Sequence, residues 1–133
     1  MNPQPDEAAQ LLAAGERDRT GFRILNRDAE APDEIVLFHA QQAVEKFIKS
    51  ALASQGVVYR RTHDLLELSN LATQNGLVIP ADSGLLARLG PYAVEFRYLG
   101  VLAPMVSRAE AEALIEALLA WAKQQLAACN AAP

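Results

Sequence analysis

The chain holds two histidines, His39 and His63, and its richest chemical neighbourhood surrounds the second. Arg60, Arg61, Thr62, His63 and Asp64 are consecutive, and a helix is expected to begin among them. A helix start favours negative charge and offers backbone N–H groups, so cations placed just before it make a phosphate-binding corner. The expected nucleotide- or phosphate-binding set is therefore Arg60, Arg61, His63 and Asp64. A plainer reading stands beside it, in which Thr62 and Asp64 only cap the helix and the arginines are solvated.

His39 belongs to a second group. With Gln42, Lys46 and Lys49 it recurs at three- and four-residue steps, which on a helix places all four on one stripe. Imidazole changes protonation near neutral pH, so His39 is a candidate base or ligand contact on an adjoining polar surface. A structural hydrogen bond across a helix or dimer contact is the alternative. Glu45 and Lys49 have the spacing of a surface ion pair, worth a few tenths of a kcal/mol. Arg97 and Tyr98 could face the same groove, although a tyrosine packed in a bundle with its hydroxyl at the rim explains Tyr98 as well. Acidic residues and histidines do not cluster at metal-ligand spacing, no glycine-rich phosphate loop is present, and no Ser or Cys has a recognisable base beside it. Neither a metal nor a cofactor is expected.

The elements that must position these residues are helical. Apolar residues recur at three- and four-residue spacing almost throughout, and alternating strand patterns are missing. Pro5, Asp6 and Glu7 start a first helix that runs to about Arg27 or Asp28, with Leu11, Leu12, Phe22 and Leu25 on its apolar side. Gly15 and Gly21 within it mark close helix contacts. Pro32, Asp33 and Glu34 open a second helix reaching Ser54 or Gln55, stopped by Gly56. Val36, Leu37, Ala40, Val44, Phe47, Ile48 and Ala51 fill one arc of its wheel, with the His39 stripe opposite.

A third helix is expected from about His63 to Gln74, capped by Thr62, burying Leu65, Leu66, Leu68 and Leu71 and ending at Gly76. Pro80 to Asp82 opens a fourth, with Leu85, Leu86, Leu89, Ala93 and Phe96, which Gly90-Pro91 kinks or splits. Ser107 and Glu110 have the spacing of a capping box. A last helix follows, striped by Leu114, Ile115, Leu118, Trp121, Ala122 and Gln125 to Leu126. The fold class is all-α, an antiparallel up-and-down helical bundle of four long helices plus one shorter helix. One domain over 1–133 is expected, its core about 6–126 and its termini frayed.

With 133 residues, 51% hydrophobic and 21% charged, the chain has material for a core and no disorder signature. A net charge of −4 argues against non-specific clamping of duplex nucleic acid, whose affinity comes from neutralised phosphates. Lys46, Lys49, Arg60 and Arg61 nonetheless concentrate positive charge within sixteen positions. The single cysteine, Cys129, cannot form an internal disulfide, which suits a reducing, cytoplasmic setting. Neither a secretory signal nor a membrane span is expected.

His-Ala-Gln-Gln-Ala-Val-Glu-Lys at 39–46 and Arg-Thr-His-Asp-Leu at 61–65, in that order across a helix end and short loop, resemble the HEPN family. Tyr92-Ala93 with Glu95-Phe96-Arg97-Tyr98 is similar to the stretch preceding that family's last helix. The resemblance covers about residues 6 to 126. It implies a four-helix core with an additional short helix, assembly as a homodimer, and a companion minimal nucleotidyltransferase in paired or toxin–antitoxin-like systems. Many such proteins are metal-independent ribonucleases whose Arg precedes a His by four to six intervening residues, two copies facing across the dimer. Here the windows that would hold the Arg are Pro32 to Glu34 for His39 and Gly56 to Val58 for His63, and neither contains one. The expected function is thus a non-catalytic homodimer that binds nucleotide or RNA beside a nucleotidyltransferase. The alternative is a ribonuclease whose composite site joins His63 and Arg61 across the dimer. A protein whose only work is assembly is a third reading.

Overall fold

A computed structural model of the chain describes residues 5–94 and 105–131. Five α-helices occupy them: α1 (Pro5–Asn26), α2 (Asp33–Ser54), α3 (Leu65–Gln74), α4 (Ser83–Leu89) and α5 (Arg108–Ala131), with a short 3-10 turn at Gly90–Ala93. Among the described residues there is no strand, so the all-α bundle expected from periodicity is what forms. Three helices are long, at 22, 22 and 24 residues, and two are short, at 10 and 7. Gly90-Pro91 ends α4 after Leu89, because proline has no N–H to donate and the chain tightens into the 3-10 turn. Phe96, Arg97 and Tyr98 lie outside the described residues. No described helix is long and apolar enough to cross a membrane.

Side-chain pairs fix the directions. Ser50 Oγ donates to the Ala8 carbonyl, Lys46 pairs with Asp18, and Phe47 lies against Gly15, so α1 and α2 run antiparallel. Arg19 pairs with Glu116, and Asn26 Nδ2 donates to Glu112, so α1 and α5 are antiparallel too. Helices α2 and α5 are consequently parallel. The Arg108 guanidinium joins their starts by binding the Asp33 carboxylate at 2.8 Å while also donating to the Asp28 and Ala31 carbonyls of the α1–α2 link.

The apolar arc read from the sequence of α2, from Val36 to Ala51, is fully buried. The rest of that helix corrects the expectation of an exposed polar face. Gln41, Glu45, Ser50, Ala53 and Ser54 are buried as well, and His39, Gln42, Lys46 and Lys49 are half-buried. The reason is position: α2 is the central helix, with α1, α5, α3 and the 3-10 turn packed around it. Glycine lets α1 approach. A Cβ on Gly15 would sit 2.6 Å from the Phe47 ring, and one on Gly21 would sit 3.3 Å from His39 Nδ1. Phe22, Leu65, Leu68, Leu86, Leu89, Tyr92, Ile115 and Leu118 join the α2 arc in one core cluster.

Helix ends follow the local chemistry. Gly56 and Gly76 have φ of +70° and +82°, and the following N–H groups of Val57 and Leu77 donate back to Leu52 and Ala72, closing α2 and α3. Ser107 and Glu110 form the expected reciprocal cap of α5, each side chain accepting from the other's backbone N–H at 3.0 Å. The start of α3 differs from expectation. Asp64, not Thr62, is its cap, so the helix begins at Leu65 and His63 precedes it. The Asp64 carboxylate accepts from both Leu66 and Glu67 N–H, whereas the buried Thr62 hydroxyl accepts only from Asp64 N–H.

Candidate functional site

The residue that organises the His63 corner is Glu45, which is 3% exposed in the middle of α2. A carboxylate in that position needs partners on both oxygens, because an unpaired buried charge is expensive. His63 Nδ1–H donates to Oε1 at 2.8 Å, and Gln41 Nε2 donates to the same oxygen at 3.1 Å. Lys49 Nζ donates to Oε2 at 2.9 Å. Gln41 also donates to the His63 carbonyl at 3.2 Å and accepts from Gln42 Nε2 at 2.7 Å. The Lys49 ammonium lies 5.7 Å from the centre of the Tyr59 ring, a cation–π contact. Burial, reinforced by the charges of Glu7 and Glu45, pushes the Tyr59 phenol above its usual pKa.

This arrangement fixes the His63 imidazole. With Nδ1 committed to Glu45, the outward nitrogen is Nε2, which has no partner among the described residues, on a side chain that is 58% exposed. His63 and Asp64 border a cleft of about 430 Å³ whose other walls are Leu66, Leu86, Ala87, Pro91 and Val94. Asp64 and Leu66 form a ridge between it and a shallower depression of about 590 Å³ lined by Tyr59, Arg60, Glu67 and Leu71. The first cleft is mostly apolar with one oriented imidazole at its edge, an arrangement suited to holding a planar or apolar group while Nε2 meets a polar or anionic one.

The sequence-predicted residues separate on this frame. Arg60 is exposed and held by Glu67 through two hydrogen bonds, at 2.7 and 2.6 Å, which raise its already high pKa. Arg61 is exposed and has no side-chain partner among the described residues. Asp64 caps α3 and so occupies the Leu66 and Glu67 N–H groups that an anion would have used. Of the four predicted residues, Arg61 and His63 are the ones left open to solvent without a helix-capping or ion-pair commitment on the outward side. On the α2 stripe, Gln42 and Lys49 feed the Glu45 network, while Lys46 turns to Asp18 and His39 to Gly21 on the α1 side. His39 Nδ1 is buried without a hydrogen-bond partner, and its ring meets Phe38 edge-on. The Glu45–Lys49 pair is not the surface pair expected, since its side chains are only 5% and 13% exposed.

Sequence reasoning missed Gln41 and Glu45 as anchors. Their signal was a polar pair one helical turn apart, adjoining the apolar arc and followed by Lys49 a further turn on. Among the described residues, no three His, Cys, Asp or Glu side chains come together as a metal site.

The Glu45–His63 bond joins the two sequence motifs at 39–46 and 61–65 into one structural unit. A search of the curated proteins and of the solved structures finds no match to this chain. Residues 9–123, which take in both motifs, all of α2 and most of α1 and α5, match the HEPN domain, and the chain belongs to that family.

Proposed function

We propose that this is a non-catalytic HEPN protein whose Arg61–His63 corner contacts the phosphate of a nucleotide or RNA, with the neighbouring cleft taking a base. The observation that carries this reading is the exposed His63 imidazole, oriented by buried Glu45 and flanked by an unpaired Arg61. Arg60 and Asp64 frame the corner by holding the start of α3, while Gln42 and Lys49 support it from α2. His39 and Lys46 adjoin it only through the body of α2. The protein works as a cytoplasmic homodimer beside a minimal nucleotidyltransferase, in a toxin–antitoxin-like pair. Titration with adenosine 5′-monophosphate and with a short single-stranded RNA, followed by backbone amide shifts, tests the site. Shifts confined to residues 61–66 and 86–94 support it; no response at millimolar ligand overturns it. Light scattering and co-purification with a minimal nucleotidyltransferase test the assembly.

One observation favours a second reading. A carboxylate that holds Nδ1–H and leaves Nε2 open is how general acid–base histidines are positioned, and Arg61 supplies a cation for a charged phosphorane. Under that reading the dimer is a ribonuclease, with Arg61 of one protomer serving His63 of the other. RNA cleavage by the purified protein that disappears in His63→Ala would favour the enzyme, and intact RNA with both proteins favours the binder.

A further inference from the structure

A second basic feature lies on the other side of α2. The residues of α2 that reach His63, Gln41 and Glu45, are separated from those that meet α1 by roughly 140° at about 100° per residue. Arg19 and Arg23 on α1, and Arg27 in the turn directly after it, recur every four residues, and all three line one edge. That edge borders a groove of about 380 Å³ between α1 and α5, floored by Phe22 and Ile115 and faced by Glu112 and Glu116. The two sides are not equally engaged. Arg19 is bound by Glu116 through both its Nε and an outer nitrogen. That bond, helped by the charges of Arg23 and Lys123, holds the Glu116 carboxyl below its usual range, so the pair stays ionic and self-satisfied.

Arg23 and Arg27 are different. Both are exposed, and neither side chain has an ion pair or hydrogen bond among the described residues. In a chain of net charge −4 they are two guanidiniums without a hydrogen-bonded partner, four residues apart across the end of α1 at the mouth of a groove. The predicted corner, by contrast, commits Arg60 to Glu67 and keeps only Arg61 free. Two such groups suit a tetrahedral dianion, because each guanidinium can present two parallel N–H donors to phosphate oxygens. A free carboxylate acceptor is on Glu112, whose Oε2 takes only Asn26 Nδ2, at 3.2 Å. A carboxylate beside a phosphate site accepts from a hydroxyl that the phosphate ester carries.

We propose that the α1–α5 groove is a binding site for a phosphomonoester carrying a nearby hydroxyl, with the phosphate between Arg23 and Arg27 and the hydroxyl on Glu112. A sugar phosphate and a nucleotide share this chemistry, and the groove volume accommodates either. The site is independent of the His63 corner and stands or falls apart from it.

Calorimetric titration with ribose 5-phosphate, inorganic phosphate and adenosine 5′-monophosphate, with amide shifts recorded in parallel, tests the proposal. The Arg61→Ala/His63→Ala protein is used so that the other corner contributes nothing. Ribose 5-phosphate is expected to shift residues 22–27 and 112–116 and to bind more tightly than inorganic phosphate. Arg23→Ala/Arg27→Ala weakens it by about tenfold or more, the effect of losing charge-assisted contacts. Arg17→Ala, an exposed cation of the same helix outside the groove, does not weaken it. Alanine is a strong helix former, so α1 keeps its structure, and an unchanged far-ultraviolet circular dichroism spectrum verifies this. Glu112→Ala, which removes the acceptor, abolishes the preference for ribose 5-phosphate over phosphate. Tighter binding of the adenosine ester identifies a nucleotide as the source, and equal binding identifies a sugar phosphate. The absence of heat and shifts at millimolar ribose 5-phosphate overturns the site, as does binding that survives the double arginine substitution. A preference unchanged in Glu112→Ala overturns the hydroxyl assignment.

Discussion

Replacing Glu45 by alanine is the sharpest perturbation of the His63 corner. The substitution removes a carboxylate that is 3% exposed and takes the acceptor from three donors at once: Lys49, His63 and Gln41. Gln41 keeps the His63 carbonyl. Lys49, only 13% exposed, keeps nothing except the face of Tyr59. Breaking a fully buried pair from one side costs ~3–5 kcal/mol, mostly the penalty of the charge left behind. The open edge of His63 relieves part of that penalty, which puts the expected loss near ~3 kcal/mol. With a urea slope of about 2 kcal/mol per molar, the unfolding midpoint falls by about 1.5 M at unchanged slope.

The stranded Lys49 ammonium also sets what the double variant must do. If the cost of Glu45→Ala is largely a stranded Lys49, then Lys49→Ala in the same chain recovers part of it, and the two changes couple by about 1–3 kcal/mol. Urea unfolding of the four proteins, with the ¹⁵N shifts of the His63 ring recorded in each, measures both quantities. The ring loses its fixed Nδ1–H form in Glu45→Ala and retains it in Lys49→Ala. A midpoint shift below about 0.5 M, strictly additive single changes, or an imidazole indifferent to Glu45 would refute the network as described.

Two other predictions test the frame around the site. Gly15→Ala is expected to destabilise by about 1 kcal/mol, because a Cβ placed 2.6 Å from the fully buried Phe47 ring costs more than the roughly 1 kcal/mol of helix propensity it gains. Gly21→Ala meets the half-buried His39 at 3.3 Å and should be neutral or stabilising; thermal melting of both variants reads the contrast, and equal shifts would contradict it. For Glu116, whose folded carboxyl lies below its ordinary value of 4.5, the stabilising contribution is present above that value and fades as pH falls through the folded one. Glu116→Gln should therefore flatten the loss of stability on the acid side and, because the pair is largely solvated, cost no more than ~1 kcal/mol at neutral pH.

Elements whose cause is local were legible in the sequence. The Ser107–Glu110 cap, the glycine stops at Gly56 and Gly76, and the break at Gly90-Pro91 each depend on residues within a turn of one another. The start of α3 was harder because Thr62 and Asp64 are both capping types, and their order of preference was decided by which side chain could accept from two N–H groups. The face of α2 could not be settled by periodicity at all. An apolar arc identifies the best-buried side of a helix, but it does not say whether the opposite side is also covered, and here α1 covers part of it, with Gly21 against His39 and Asp18 against Lys46.

That limit explains why the corner was visible as a segment but not as a site. Arg60 to Asp64 is a plausible anion motif by residue type, yet two of its members serve α3, Arg60 through Glu67 and Asp64 through the helix cap. What orients His63 comes from eighteen residues upstream, out of a run whose spacing reads as surface chemistry. Glu45 carries its meaning only when the loop before α3 folds back onto the middle of α2, because only then does a buried carboxylate acquire the donors that make its burial tolerable. The two arginines left without a hydrogen-bonded partner at the end of α1, Arg23 and Arg27, invert the case. Their residue types and spacing are plain in the sequence, and only the pairing of Arg19 with Glu116 across to α5 separates the engaged cation from the two that are free.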